Sequence, residues 1–293
     1  MNSLPNKQDE TQLQAEISEQ ALTPVDEECP EIRILYEDEH LVAIHKPAGL
    51  LVHRTYLARK ERFFAMQLTR DLVGCHVFPV HRLDRPTSGV LLFAKSSEIA
   101  AILCHQFAGR ETRKEYLALV RGNMHQAGTL DYPLKEELDA VADKHADRNK
   151  EAQDAITQYA PLLNAEIPFP SGRYPSSRFA LIRLSPQTGR KHQLRRHMAH
   201  LRHPIIGDTT HGDGKQNRFF REHFGLNRLW LLAQSLSFTH PTTGEPVTIV
   251  TEPEPNGCKC SKAWAGTSPS LSQTAVCCWL REGANKSSWP SLL

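Results

Sequence analysis

The chain has 293 residues, 40% of them apolar and 23% charged, and a formal net charge of +2. This is long enough for one large domain or two small ones, and the composition excludes a disordered chain. No apolar run nears the roughly eighteen residues a spanning helix needs, and the first thirty residues hold no secretory signal, so a cytoplasmic protein with no membrane attachment is expected.

Residues 1–31 set Lys7 against eight acidic residues and lack apolar periodicity, which predicts a disordered acidic leader. Patterning typical of a folded domain runs over 32–253. IRILYED and HLVAIHKP read as two short strands joined at an acidic turn, the second stopped by Pro47-Ala48-Gly49. Val90–Ala94 is a continuous apolar run, as in a buried strand. Ser96-Ser97-Glu98 is a helix-start signal. Ile99, Ile102, Leu103 and Phe107 follow at helical spacing, and Gly109 closes the segment. Tyr116–Val120 is a further strand, and Phe179–Leu184 alternates as a half-buried one. Lys191–Leu201 carries Leu194, Met198 and Leu201 on one stripe with bases elsewhere, the pattern of an amphipathic basic helix. Short strands are predicted at 229–233, 236–239 and 247–250, and residues 254–293 read as a disordered tail. Strands outnumber helices without regular helical crossovers, so the fold class is α+β with a largely antiparallel sheet.

Charge is unevenly spread. Residues 32–293 hold 34 basic against 25 acidic side chains. Between Arg173 and Arg228 twelve Lys/Arg face only Asp208, Asp213 and Glu222, with six histidines added. A basic concentration of this size suggests a polyanionic partner, nucleic acid above all. The seven cysteines show neither disulfide nor zinc-ribbon spacing and read as reduced thiols. His192, His197, His200 and His203 crowd one segment, but no carboxylate lies within that helix and Pro204 follows at once. They read as RNA-facing or capping histidines, so no metal site is expected. GDTTHGDGKQ misses the phosphate-loop pattern.

The stretch His81-Arg82-Leu83-Asp84-Arg85-Pro86-Thr87-Ser88-Gly89 is the most informative. An aspartate between two arginines, before a turn that feeds a buried strand, is held ionised by nearby positive charge. In a basic cleft such a carboxylate can act as base, electrostatic stabiliser or nucleophile. By spacing alone, a turn-capping aspartate beside surface arginines is the plainer reading.

HRLDRPTSG closely resembles the HRLDxxTSG signature of the RluA-type pseudouridine synthases, which modify RNA. RKEYLALVRG (113–122) looks like that family's tyrosine-bearing segment. PQTGRKHQLRRHMAHLRHPIIGD (186–208) looks like its TGRxHQLRxH block followed by HPIxGD. The three blocks stand in family order, and the resemblance covers roughly residues 32–252. It implies a pseudouridine synthase fold with a central RNA-binding cleft and no cofactor. Asp84 becomes the nucleophile on a flipped-out uridine, and Tyr116 lies against the base. Arg195 pairs with Asp84, and Arg82 is a candidate to hold the flipped nucleotide or fill its place. Arg190, Lys191, Arg196 and Arg202 are candidates for phosphate contacts. HGDGKQNR, LDYPLKEELD and KPAGLLVHR are similar to a branch acting on the uridine at position 65 of tRNA. The chain departs from the family at Leu232, where a histidine is frequent.

The expected partner is therefore RNA, tRNA first, with no obligate protein partner evident. Two other readings stand beside it: the same reaction on ribosomal RNA, and a non-catalytic RNA-binding or tRNA-folding protein. Turnover separates the last from the others.

Overall fold

The computed structural model describes residues 29–54, 58, 61–137, 151–167, 170 and 175–253. Nearly all of the expected leader, and the whole of the expected tail, lie outside the described residues.

Chain order begins with β1 (Arg33–Glu37), β2 (Leu41–Lys46), α1 (Ala65–Val73), β3 (Phe78–Pro79), β4 (Ser88–Ala94), α2 (Ser97–Ala108) and β5 (Arg113–Arg121). It continues through β6 (Gly128–Asp131), β7 (Ile156–Ile167), β8 (Ser177–Pro186), α3 (Gln193–His200), α4 (Gly214–Phe224), β9 (Leu231–Thr239) and β10 (Pro246–Val250). The ten strands form one sheet in the order β1-β2-β4-β9-β5-β8-β7-β6, with β10 added to β9 and β3 to β4. The pairings are antiparallel except β4 with β9, which run parallel through Ser88–Leu232 and Gly89–Ala233.

The expected α+β class and mostly antiparallel sheet are found. Asp38 makes the first turn: its Oδ1 accepts from the amides of His40 and Leu41 at 2.7 and 2.8 Å, reversing the chain between β1 and β2. β4 is buried on both faces, which explains its unbroken apolar run. Val90, Leu92 and Ala94 join one core cluster, with Leu41 and Ala43, while Leu91 and Phe93 join another, with Val42 and Ile44. A third cluster fills the space between β5, β8, β9, α3 and α4. α2 begins where expected, the Ser96 hydroxyl accepting from the Ile99 amide.

Three expectations change. The strand at 179–184 is not half-buried: only Arg183 escapes full burial there, because α3 and α4 residues share its cluster. The strands at 229–233 and 236–239 are one continuous β9. α3 is less basic outward than its stripe suggests, since Arg195 and His197 are buried with Leu194 and Met198. Four longer elements lacked a clear signal. α1 has no side-chain cap and buries only Ala65 and Thr69. β7 carries Pro161 at an irregularity that breaks its alternation, and its partner β6 has only four residues. α4 starts at the Asp213 cap and stops at left-handed Gly225, in a stretch where the sequence reading assigns no element.

Candidate active site

Asp84 sits on the connection that enters β4. The Thr87 amide donates to the Asp84 carbonyl at 3.0 Å, closing a turn through Arg85 and Pro86. Beyond that turn the chain passes Gly89, where φ is +116° and an added Cβ would stand 2.2 Å from the Ala233 carbonyl oxygen. Only glycine allows β4 to come this close to β9. From the other side, the Lys46 ammonium, 0% exposed, donates to the carbonyls of Pro47, Leu50 and Arg85 at 2.9, 2.9 and 3.1 Å. A buried ammonium is tolerable only with such partners. It ties the Pro47-Ala48-Gly49 turn to the residue after Asp84.

The charge opposite Asp84 does not come from its sequence neighbours. Arg85 turns away, donating from Nε to the Gly49 carbonyl and pairing with Glu61 at 2.9 Å. Arg82 is exposed, and its side chain makes no hydrogen bond or ion pair among the described residues. The partner is Arg195, whose Nη1 lies 3.6 Å from Asp84 Oδ2. That is too long for a hydrogen bond but close enough for an ion pair. The Asp84 side chain is 24% exposed and that of Arg195 4%, so one oxygen-bearing group meets solvent while its counter-ion is walled in.

Arg195 is aimed by a second carboxylate. Its Nε and Nη2 donate to the two oxygens of Asp208 at 2.7 and 2.8 Å, a bidentate clamp that leaves Nη1 for Asp84. Burial works against the Arg195 charge, but Asp208 and Asp84 outweigh it and hold the guanidinium above its ordinary pKa. Burial alone would likewise raise the Asp208 carboxyl. Hydrogen bonds from Arg195 and from the His211 and Thr210 amides prevail and hold it below the usual range. α4 fixes the backbone there: Asn217 donates to the Asp208 carbonyl at 2.7 Å and accepts from the Gly207 amide at 2.8 Å. The start of α3 is pinned by Gln193, which accepts from Thr188 and the Arg190 amide and donates to the Ile156 carbonyl and Thr157.

Tyr116 enters from β5, half-buried between two of the core clusters. Burial pushes its phenol pKa up, and the negative charge of Asp84 pushes it further. It stays protonated at neutral pH, so it presents an apolar ring and a neutral hydroxyl beside the carboxylate. His192, at the N-cap of α3 with φ +54°, has its pKa lowered by burial although Asp84 pulls the other way. Thus Asp84, Tyr116 and Arg195 are brought together from three distant segments, and Arg82 lies on the exposed edge.

The basic candidates fare differently. Arg190, Lys191 and Arg196 donate to the carbonyls of Asp154, Glu137 and Lys135, tethering α3 to neighbouring chain. Arg202 is exposed. His197 is inside, bonded to Thr157 and the Tyr132 carbonyl, and Leu232 is a core residue. Two surface hollows of about 450 and 300 Å³ touch none of Asp84, Tyr116 or Arg195; both lie around Tyr159. The paired carboxylate, in contact with open surface, is the better site for a substrate too large for a closed pocket.

Lys46 and Asp208 escaped the sequence reading. Asp208 did leave a signal: the few acids within a strongly basic stretch must each find a cation. Asp213, for its part, pairs with Arg121 at 2.6 Å.

Comparison with known proteins gives the family. The family model described as RNA pseudouridylate synthase matches residues 40–200. The tRNA pseudouridine synthase C of Vibrio cholerae is 58% identical over 218 residues, covering 74% of this chain and 89% of that protein. Its namesake from Yersinia pestis is 52% identical over 242 residues, covering 82% and 94%. Among solved structures, human RNA Pseudouridylate Synthase Domain Containing 4 aligns with a TM-score of 0.55 at 28% identity, over 82% of this chain and 92% of that one. Human RNA Pseudouridylate Synthase Domain Containing 1 aligns at 0.59 with 24% identity, over 77% and 84%, and speaks for the fold alone. With the motif blocks folded around one carboxylate and relatives matched over most of their length, the chain belongs to the RNA pseudouridylate synthase family, in its RluA-type branch.

Proposed function

We propose that the protein isomerises one uridine of tRNA, that at position 65, to pseudouridine, with Asp84 as the nucleophile. The observation that carries this reading is Asp84, partly open to solvent and facing a guanidinium that Asp208 holds in place. The names of the relatives supply the tRNA. In the reaction the C1′–N1 bond breaks and a C1′–C5 bond forms; C5 gives up its proton to solvent and N1 takes one up. Atoms and electrons balance within the substrate, so the step needs neither oxidant nor energy source. A stacked uridine cannot reach the carboxylate, and flipping it out costs a few kcal/mol. Arg82, exposed beside Asp84, is placed in this reading to hold the flipped nucleotide or fill its position. Tyr116 supports the base as a neutral phenol. Arg195 sets a positive charge beside Asp84 and aims it. The activity is assigned to residues 32–253. A tRNA substrate also argues for the cytoplasm, and among the described residues no helix is long and apolar enough to cross a membrane.

Tritium release from tRNA carrying 5-tritiated uridine tests the proposal. The unaltered protein releases tritium, and Asp84→Ala lowers the rate by about three orders of magnitude or more. Release by both would remove Asp84 from the chemistry. Release from ribosomal RNA but not tRNA would move the substrate. Binding without release in either protein would favour an RNA-binding protein on this scaffold.

A further inference from the structure

Beside the catalytic carboxylate lies a second cluster that the isomerisation does not use. Glu137, from the segment after β6, meets His192 at the start of α3 and His211 from the connection before α4. His192 Nδ1 is 3.1 Å from His211 Nε2 and 3.2 Å from Glu137 Oε2, and His211 Nε2 is 3.6 Å from that same oxygen. These three atoms form a nearly equilateral triangle.

We propose that Glu137, His192 and His211 form a site for a divalent transition-metal ion of the zinc class, with water as fourth ligand. The size of the triangle supports this. The circle through the three atoms has a radius of about 1.9 Å, so an ion at the usual distance of about 2.0–2.1 Å stands about 0.7 Å off their plane. That is where the centre of a regular tetrahedron lies above one of its faces. Two imidazoles and one carboxylate are a common donor set for zinc. The two rings are set at 71° with centroids 5.2 Å apart, which puts their nitrogens side by side without stacking.

The surroundings suit a bound cation as well. Arg196 Nε lies 3.3 Å from Glu137 Oε1, orienting the carboxylate through the oxygen the ion does not need. Lys191 holds the Glu137 carbonyl, and Arg196 that of Lys135, so the backbone carrying the carboxylate is fixed at two points. The three side chains are 20%, 15% and 34% exposed for His192, His211 and Glu137, which admits an ion and leaves room for a water. Asp84, whose charge reaches His192, offsets part of the positive charge of Arg195 there. Occupation would cross-link the 134–137 segment, α3 and the connection before α4, the elements that carry Arg195 and Asp208. The four histidines crowded around α3 contribute only His192. The carboxylate and the second imidazole come from elsewhere, which is why no ligand spacing shows in the sequence.

The test is a cobalt(II) titration of the full chain, read by visible absorption and checked by displacement with zinc. One equivalent should give the intense bands of four-coordinate cobalt without a sulfur charge-transfer band, which separates it from binding at the seven cysteines. His211→Ala and, independently, Glu137→Gln should each abolish that equivalent. Far-UV circular dichroism should be unchanged, and so should tritium release without metal for His211→Ala. Zinc should raise the thermal midpoint of the unaltered chain but not of either variant. Absence of a bound equivalent overturns the proposal, as does one that survives both substitutions. Neither result touches the assignment of Asp84, because the readout is the metal and not turnover.

Discussion

An aspartate expected to attack carbon must be ionised, reachable and unable to wander. Arg195 meets these demands for Asp84 because its guanidinium is divided: two nitrogens belong to Asp208 and one faces Asp84. The longer 3.6 Å pairing sets a positive charge beside Asp84 without spending its lone pairs on a hydrogen bond. Asp208→Asn should therefore harm both function and stability. It leaves a buried guanidinium half-compensated, with an expected cost of about 3–5 kcal/mol in urea unfolding at pH 7. Turnover should fall at least about tenfold as Arg195 loses its aim. The pH dependence carries a sign. The Asp208 pKa is lowered in the folded state, so its stabilising contribution is in place above the unfolded carboxyl pKa of about 3.9 and disappears as pH falls through the lower folded value. Stability of the unaltered protein should drop more steeply below about pH 4 than that of Asp208→Asn. Parallel acid limbs in the two proteins would refute the clamp.

At the level of elements, the sequence was legible where a segment's own pattern decided its structure. β4 declared itself through an unbroken apolar run, α2 through the Ser96 cap, and β1–β2 through Asp38. Legibility failed where distant chain decides. β7 is held by β8 despite Pro161, and α1 by the one cluster that takes up Ala65, Met66 and Leu68. In the site, Asp84, Tyr116 and Arg195 were found through motif resemblance. The same resemblance implied the Asp84–Arg195 pair that the structure shows, whereas the neighbouring arginines misled, since adjacent side chains on a turn diverge. Lys46 was invisible for a different reason: a lysine at a strand end before a Pro-Ala-Gly turn reads as solvated, whereas here it is buried against three carbonyls. Lys46→Met would keep the aliphatic stem and leave those carbonyls without the ammonium. The expected loss is about 2–4 kcal/mol in urea unfolding, with reduced turnover as the Arg85 end of the Asp84 turn is released. An unchanged unfolding midpoint would show that the turn holds itself.

At the scale of the whole molecule, charge counting overstates the RNA-facing surface. Three of the four bases nominated for phosphate tether the protein to itself, leaving Arg202 and exposed side chains such as Arg178, Lys215, Arg218 and Arg221. A chain cut to residues 32–253 should retain full turnover and bind tRNA no more weakly, since the leader removed carries a net −7 and the tail only a net +2. Its affinity should fall on the order of 100-fold between about 50 and 200 mM salt, as four or so phosphate contacts predict. Loss of turnover on cutting, or affinity indifferent to salt, would contradict this account. The one parallel pairing in the sheet reaches further. Ser88, four residues after Asp84, is laid against Leu232, 144 positions later, with Gly89 against Ala233. During synthesis the Asp84 turn leaves the ribosome long before the strand that braces it exists. A growing chain thus carries Asp84 well before the basic stretch at 173–228 and then β9 emerge. Translation itself therefore sets a delay, and chemistry becomes available only once nearly the whole catalytic domain has emerged.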